Sequence, residues 1–298
     1  MMKKSLLASA AAILALATIG GAQAAPVPMI TGGQIKFSLD NFDSATTLYG
    51  NVVGVKCLTV VSCNAAASAP ALGSVGSVSP SADTMGIFSI STISNATLGT
   101  TLFTKGAQGF ITGIFGDLSD HTVEVTLGLS GLNTAAVSTG GFFQMWLHDN
   151  DYNPTLGPAV GAGKDLNAGM YPGVSSGTLL LSGNFAAGAV LAGDLLSTYF
   201  TSYNNGTFGG NGQGFLNITG GVWATQFDTN ALTNANGGKN DLFLTNTFDD
   251  VNGAASSIRW TVKSVGQVTA NAIPEPSSIA LAGLALLGAG LASRRRKA

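Results

Sequence analysis

Cysteine is almost absent from this chain, charge is scarce, and histidine occurs twice. Two cysteines in 298 residues, Cys57 and Cys63, exclude a disulfide-rich scaffold and a multi-cysteine zinc module. With no histidine near them zinc would lack two ligands, and their spacing is wider than the C-x-x-C of a redox pair. In an exported chain such a pair reads as a structural disulfide closing a short loop, which the loop-entropy model values at about 2.4 kcal/mol. Charged residues make up 9% of the chain. Residues 25–272 carry seven lysines and arginines against fourteen acids, a net charge of −7, and Glu124 is the only glutamate among them. No basic stripe faces phosphates, so nucleic acid is excluded as a partner.

Catalytic constellations are also missing. No G-x-S-x-G elbow accompanies His121 or His148, and His121, following Asp120 at the start of a strand pattern, reads as a turn histidine. Fourteen scattered acids neither supply nor exclude the placed pair that glycoside hydrolysis needs. The expectation is a protein that is not an enzyme. Long helix patterns are lacking as well: "AAGAVLAGDLLSTYF" (186–200) is the best candidate, and its glycines weaken it.

What is present is alternation. "GQIKFSLD" sets Ile35, Phe37 and Leu39 against Gln34, Lys36 and Ser38, and "HTVEVTLGL" does the same with Val123, Val125, Leu127 and Leu129. "SIRWTVKSV" places Ile258, Trp260, Val262 and Val265 on or near one face. Six further runs, "MGIFSISTI", "GFITGIF", "GFFQMWLHD", "GTLLLSGNF", "GVWATQFD" and "DLFLTNTF", are separated by Gly, Asn, Asp and Pro. Period two means half-buried strands, and the separators are turn chemistry. The expected fold is all-β, an antiparallel β-sandwich of jelly-roll type. "TGG" at Thr31, Thr139 and Thr219 reads as turn chemistry rather than as an internal repeat, because the spacings differ and the following strands share no pattern.

Two loops and three tryptophans are the remaining candidates for binding. In "HDNDYNP", Asp149, Asp151 and Asn153 stand at alternate positions, as in the first half of a calcium loop. An EF-hand would need Gly and Glu where Pro154 and Val160 stand, so the two readings are a calcium site of another loop type and a plain polar loop. "FDDVNG", with Asp249, Asp250 and Asn252, is a weaker copy of the same pattern. Trp146, Trp223 and Trp260 lie in apolar runs, where core packing is the usual role and stacking on sugar the rarer one. No other cofactor is expected.

The two ends carry the address. Lys3 and Lys4 precede an apolar run over residues 6–19, and Ala22-Gln23-Ala24 puts small residues where a signal peptidase inspects the chain. This is a secretory signal, with cleavage between Ala24 and Ala25. At the other end Pro274-Glu275-Pro276 precedes an uncharged, Leu/Ala/Gly-rich run over residues 277–293, followed by Arg294, Arg295, Arg296 and Lys297. As a helix the run would reach about 25 Å, the short edge of spanning length, and the basic cluster would hold its end on the cytoplasmic side. A single C-terminal transmembrane helix is therefore expected. The domain plan is 1–24 signal peptide, 25–272 extracytoplasmic β-rich domain, and 273–298 tail.

"PEPSS", the apolar run and "RRRK" together resemble the PEP-CTERM sorting tail of exported bacterial proteins, also called the ice-binding protein C-terminal motif. "DTMGIFSISTIS" followed by "FITGIFGDLSD" is similar to a pattern in ectodomains that carry this tail. The resemblance implies recognition by a membrane-embedded exosortase that cuts near the Pro-Glu-Pro. It also implies an inner-membrane-anchored precursor, then a place on the cell surface or in the extracellular matrix of a Gram-negative, exopolysaccharide-producing bacterium. The expected partners are signal peptidase, an exosortase-type enzyme and exopolysaccharide. The expected role is structural or adhesive, with a calcium-assisted carbohydrate-binding module as the second reading and a secreted hydrolase as the third.

Overall fold

The alternation that opens at Gly33 becomes a strand, β1 (Gly33–Ala45), which buries Ile35, Phe37 and Leu39 and turns Lys36 and Ser38 outward. The computed structural model describes residues 26–45, 56–57, 84–128, 131–151, 174–204, 209–249, 262–274, 284 and 286. After β1 come β2 (Lys56–Cys57), β3 (Thr84–Asn95), β4 (Thr100–Thr104), β5 (Phe110–Gly128), β6 (Gly131–His148) and β7 (Thr178–Phe185). Then follow β8 (Tyr199–Asn204), β9 (Gly209–Gly220), a one-turn helix α1 (Ala224–Phe227), β10 (Leu232–Thr233), β11 (Lys239–Asn240), β12 (Leu242–Asp249) and β13 (Val262–Ala272).

All strand pairing is antiparallel, and the main sheet closes on itself. Its order is β5-β3-β1-β13-β12-β9-β7-β6, and β6 pairs back onto β5 from Phe110↔His148 to Gly128↔Gly131. The ring therefore has eight strand positions: a closed barrel, not the expected jelly-roll sandwich. The physical reason is that a sandwich keeps two sheets with free edges, whereas the long β5–β6 ladder leaves the ring none. Glycines on the inward face let the wall curl tightly. A Cβ on Gly113 would collide with the Phe88 ring and the Gln144 carbonyl, and one on Gly183 with the Asn217 carbonyl. Inward alternation looks the same in a sandwich and a barrel, so the period alone does not separate them.

One wall position is shared by two strands placed end to end. β7 pairs with β6 over residues 142–147 and β8 over 133–138, and both also pair with β9. β4 pairs beside the last residues of β3, end to end with β5; β2 pairs beside β5; and β10–β11 form a separate hairpin. The strand expectations fare unevenly. "GFITGIF" from Phe110 and "HTVEVTLGL" as far as Gly128 fall on one strand, β5. "GVWATQFD" is a turn and α1, and the best helix candidate is a run of turns leading into β8. β13 begins only at Val262; Ser264 and Ala270, in phase with the expected inward positions, are fully buried, whereas Val265 is 47% exposed and lies on the other face.

The expected transmembrane helix is not seen. Among the described residues no helix is long and apolar enough to cross a membrane. All of 277–293 except Leu284 and Leu286 lies outside the described residues.

Strand directions divide the connections between two ends. β1 starts and β13 stops at one end, where β6 also stops, β7 starts, and residues 96–109 and 221–241 connect strands. At that end the core is apolar: Trp223, Phe227, Phe37, Ile35 and Leu242 are buried together, with the Phe37 and Phe227 ring centroids 5.5 Å apart. Further along the barrel a polar rung crosses the interior. Tyr199 donates to Asn246 Oδ1 at 2.6 Å, Asn246 Nδ2 donates to Ser264 Oγ at 3.3 Å, and Ser264 Oγ donates to Asn41 Oδ1.

Candidate functional site

The tail leaves the barrel without a linker. The last ladder pair is Gly33↔Ala272, so the incoming and outgoing chains lie side by side at one end. Ile273 continues the contact by donating its backbone N–H to the Gln226 carbonyl at 2.9 Å. Pro274 then lies against Gly32: a Cβ at position 32 would stand 2.7 Å from Pro274 Cδ and Cγ.

Each part of this junction is held from a different element. Asn95, fully buried at the end of β3, donates through Nδ2 to Thr31 Oγ1 at 2.8 Å and to the Gly32 carbonyl at 3.0 Å, and accepts Leu98 N–H on Oδ1 at 2.9 Å. Thr97 Oγ1 accepts Gln34 N–H at 2.9 Å. On the other side, Thr229 donates its hydroxyl proton to the Asn271 carbonyl at 3.1 Å. The turn carrying Thr229 is fixed by Asp241, whose carboxylate accepts the backbone N–H groups of Ile218, Thr229 and Asn230 at 2.9, 2.8 and 2.7 Å. Asp241 is 2% exposed, and three donors to one carboxylate are what a buried acidic side chain requires. Asn95, Gln226, Asp241 and Gly32 escape a reading of the sequence, because single Asn, Gln, Asp and Gly residues in a polar chain carry no spacing signal. The one available hint is "TGG" at Thr31.

A second group of polar side chains sits at the same end. His148, at the end of β6, is 9% exposed, and its Nε2 lies 2.6 Å from Thr112 Oγ1. The Thr112 hydroxyl donates its proton to the Val174 carbonyl at 2.7 Å, so Nε2 carries the imidazole proton and donates to Thr112. Nδ1 is then a buried acceptor without a partner. Burial pushes the His148 pKa below its ordinary value of 6.5, and the nearby carboxylates of Asp151 and Asp149 oppose that shift.

Of the proposed calcium ligands, Asp149 and Asp151 are exposed at this end, and Asn153 lies outside the described residues. Asp151 is engaged by Lys105, with Nζ 2.9 Å from Oδ2. Among the described residues no group of three or more His, Cys, Asp or Glu could hold a metal ion. Trp223 is 1% exposed and belongs to the core, Trp146 is half-buried on β6, and Trp260 lies outside the described residues. Cys57 is opposite Val123 in the β2–β5 pair, Cys63 lies outside the described residues, and no disulfide is found among those described. Ala22, Ala24 and Ala25 also lie outside them, as do Glu275, Pro276, Arg294, Arg295, Arg296 and Lys297.

A family model for the PEP-CTERM protein-sorting motif matches residues 272–297. The resemblance drawn from the tail is borne out, and it marks an exported protein that an exosortase processes at the membrane. No curated protein and no solved structure matches the chain.

Proposed function

We propose that this chain is a non-catalytic protein of the cell surface or extracellular matrix of a Gram-negative bacterium, delivered as a folded barrel and acting as a structural or adhesive component among exopolysaccharide. The observation that carries this reading is the junction: the sorting motif begins at Ala272, the last residue of β13, so the barrel is the cargo that processing delivers. Support for a structural role comes from the interior, which side chains fill from Trp223 to Tyr199 and which satisfies its polar rung internally. A net charge of −7 over residues 25–272, with few charges of either sign, suits a passive matrix component better than an ion-steered binder.

Glu275→Ala is expected to accumulate full-length, unprocessed protein in the membrane fraction. C-terminal peptide mapping of the surface fraction should recover no peptide from 277–293 in the wild type. Recovery of that peptide from surface-localised wild-type protein would remove the sorting reading. Exopolysaccharide as the partner is tested by binding of the purified barrel to polysaccharide from the producing cell, with calcium and with chelator. Turnover of that polysaccharide would mean an enzyme instead.

A further inference from the structure

We propose that the barrel positions its own sorting motif, with Gly32 as the positioning residue on which Pro274 is seated. The inference rests on the sorting reading and adds to it a part played by the folded domain. The backbone before the motif is fixed by the Gly33↔Ala272 pair and by the Ile273 N–H to the Gln226 carbonyl, while the Ile273 side chain stays 52% exposed. What rests on the barrel is therefore main chain and the proline ring. A Cβ on Gly32 would lie 2.7 Å from both Pro274 Cδ and Cγ and 3.2 Å from its nitrogen. A pyrrolidine ring cannot swing aside as the end of a long side chain can, because the ring fixes φ. Any larger residue at position 32 must displace Pro274 or itself.

Gly32 cannot yield easily. Its carbonyl is held by Asn95 Nδ2 at 3.0 Å, and the same amide group holds Thr31 Oγ1 at 2.8 Å. Gly32, Asn95, Gln226 and Pro274 come from four distant parts of the chain, and they meet only when β3, β1 and β13 are neighbours in the closed ring. An enzyme reading Pro274-Glu275-Pro276 thus receives a motif whose first residue is already ordered. The ordering entropy has been met by folding and is not charged to recognition.

The test is a pulse–chase of the full-length precursor in the producing cell, following conversion to the processed form. Gly32→Val is expected to slow conversion on the order of fivefold, the factor that about 1 kcal/mol of lost pre-organisation carries, and Gly32→Ala less. A Gly-Ser-Gly-Ser spacer between Ile273 and Pro274 detaches the motif from its seat. In that background Gly32→Val should change nothing further, because two changes acting through one contact are not additive. Three outcomes overturn the proposal: equal conversion of wild type and Gly32→Val, faster conversion of Gly32→Val, or the same slowing with and without the spacer. The third would mean that Gly32 acts only through barrel stability. If even the wild type is never cut near Pro274-Glu275-Pro276, the sorting reading falls with it, a result distinct from the other three.

Discussion

The two halves of the barrel interior are built on different terms. At the motif end Trp223, Phe227, Phe37 and Ile35 pack as hydrocarbon, and their stability comes from area withdrawn from water and from close packing. Further along, Tyr199, Asn246, Ser264 and Asn41 are buried polar groups, none more than 8% exposed, that hold only because each has a partner. The apolar half tolerates small shifts at a graded cost. The polar half depends on its geometry, since a buried donor or acceptor left alone costs its full desolvation. The barrel places the forgiving hydrocarbon cluster beneath a junction whose own buried polar groups, Asn95 and Asp241, depend on their partners as the rung does. The rung itself lies further toward the opposite end.

Truncating the apolar half should have the largest effect. Trp223→Ala is expected to cost about 3–5 kcal/mol, the range for removing a large buried aromatic, read as a lowered urea midpoint of the purified barrel. It should also loosen Gln226 and so the hold on Ile273. In the polar half Tyr199→Phe is expected to cost about 1–2 kcal/mol, because Asn246 Oδ1 loses the phenol proton. Gly212→Ala should cost at least as much without removing a polar atom, since its Cβ would collide with Tyr199 Oη and Asn246 Oδ1. If Tyr199→Phe is neutral and Trp223→Ala is mild, the contrast between the halves is wrong.

The smallest effect is a pH dependence at the rim. His148 is buried with its pKa below 6.5. Below that value the unfolded chain takes up a proton that the folded chain does not, so stability is full above about 6.5 and declines as the pH falls toward the lowered folded value. Asp151 and Asp149 draw the His148 pKa upward and keep the window narrow, while Asp151 is itself paired with Lys105. The urea midpoint of the wild type should fall modestly between pH 7 and pH 5, and His148→Gln should flatten that slope. An unchanged slope would mean that His148 does not carry the pH dependence.

The sorting tail of the protein is legible in sequence because its marks are local: a proline pair, an apolar run and a basic cluster at fixed spacing. Strand existence is legible for the same reason, since the alternation of Ile35, Phe37 and Leu39 is written in adjacent residues. Closure is not, because it depends on the pairing of β5 with β6 through 17 register positions and on glycines such as Gly113 that look like turn residues. "TGG" shows the ambiguity well. At Thr31 it forms the seat for Pro274. In β6 it gives Gly140 and Gly141 positive φ values of 74° and 100°, between the stretches of β6 that pair with β8 and β7. At the end of β9 it gives Gly221 a φ of 102° in a tight turn. One tripeptide serves three backbone tasks, and only the surrounding strands tell them apart. "GVWATQFD" misleads for a related reason: Trp223 and Phe227 serve the core from a turn and a single helical turn while Val222 stays exposed, so no strand is needed to bury the two rings.

The pairing of β1 with β13 has a consequence for the order of events during synthesis. The first strand of the ring to be made waits for the last, over register positions running from Gly33↔Ala272 to Asp43↔Val262. Until β13 emerges, β1 and β12 are both open edges, and open edges recruit strands from other copies. Contacts this distant in sequence also form slowly. The hazard for this protein is therefore greatest while the chain is in transit, and the yield of soluble barrel is governed by how long those two edges stay unpaired rather than by the depth of the final energy minimum.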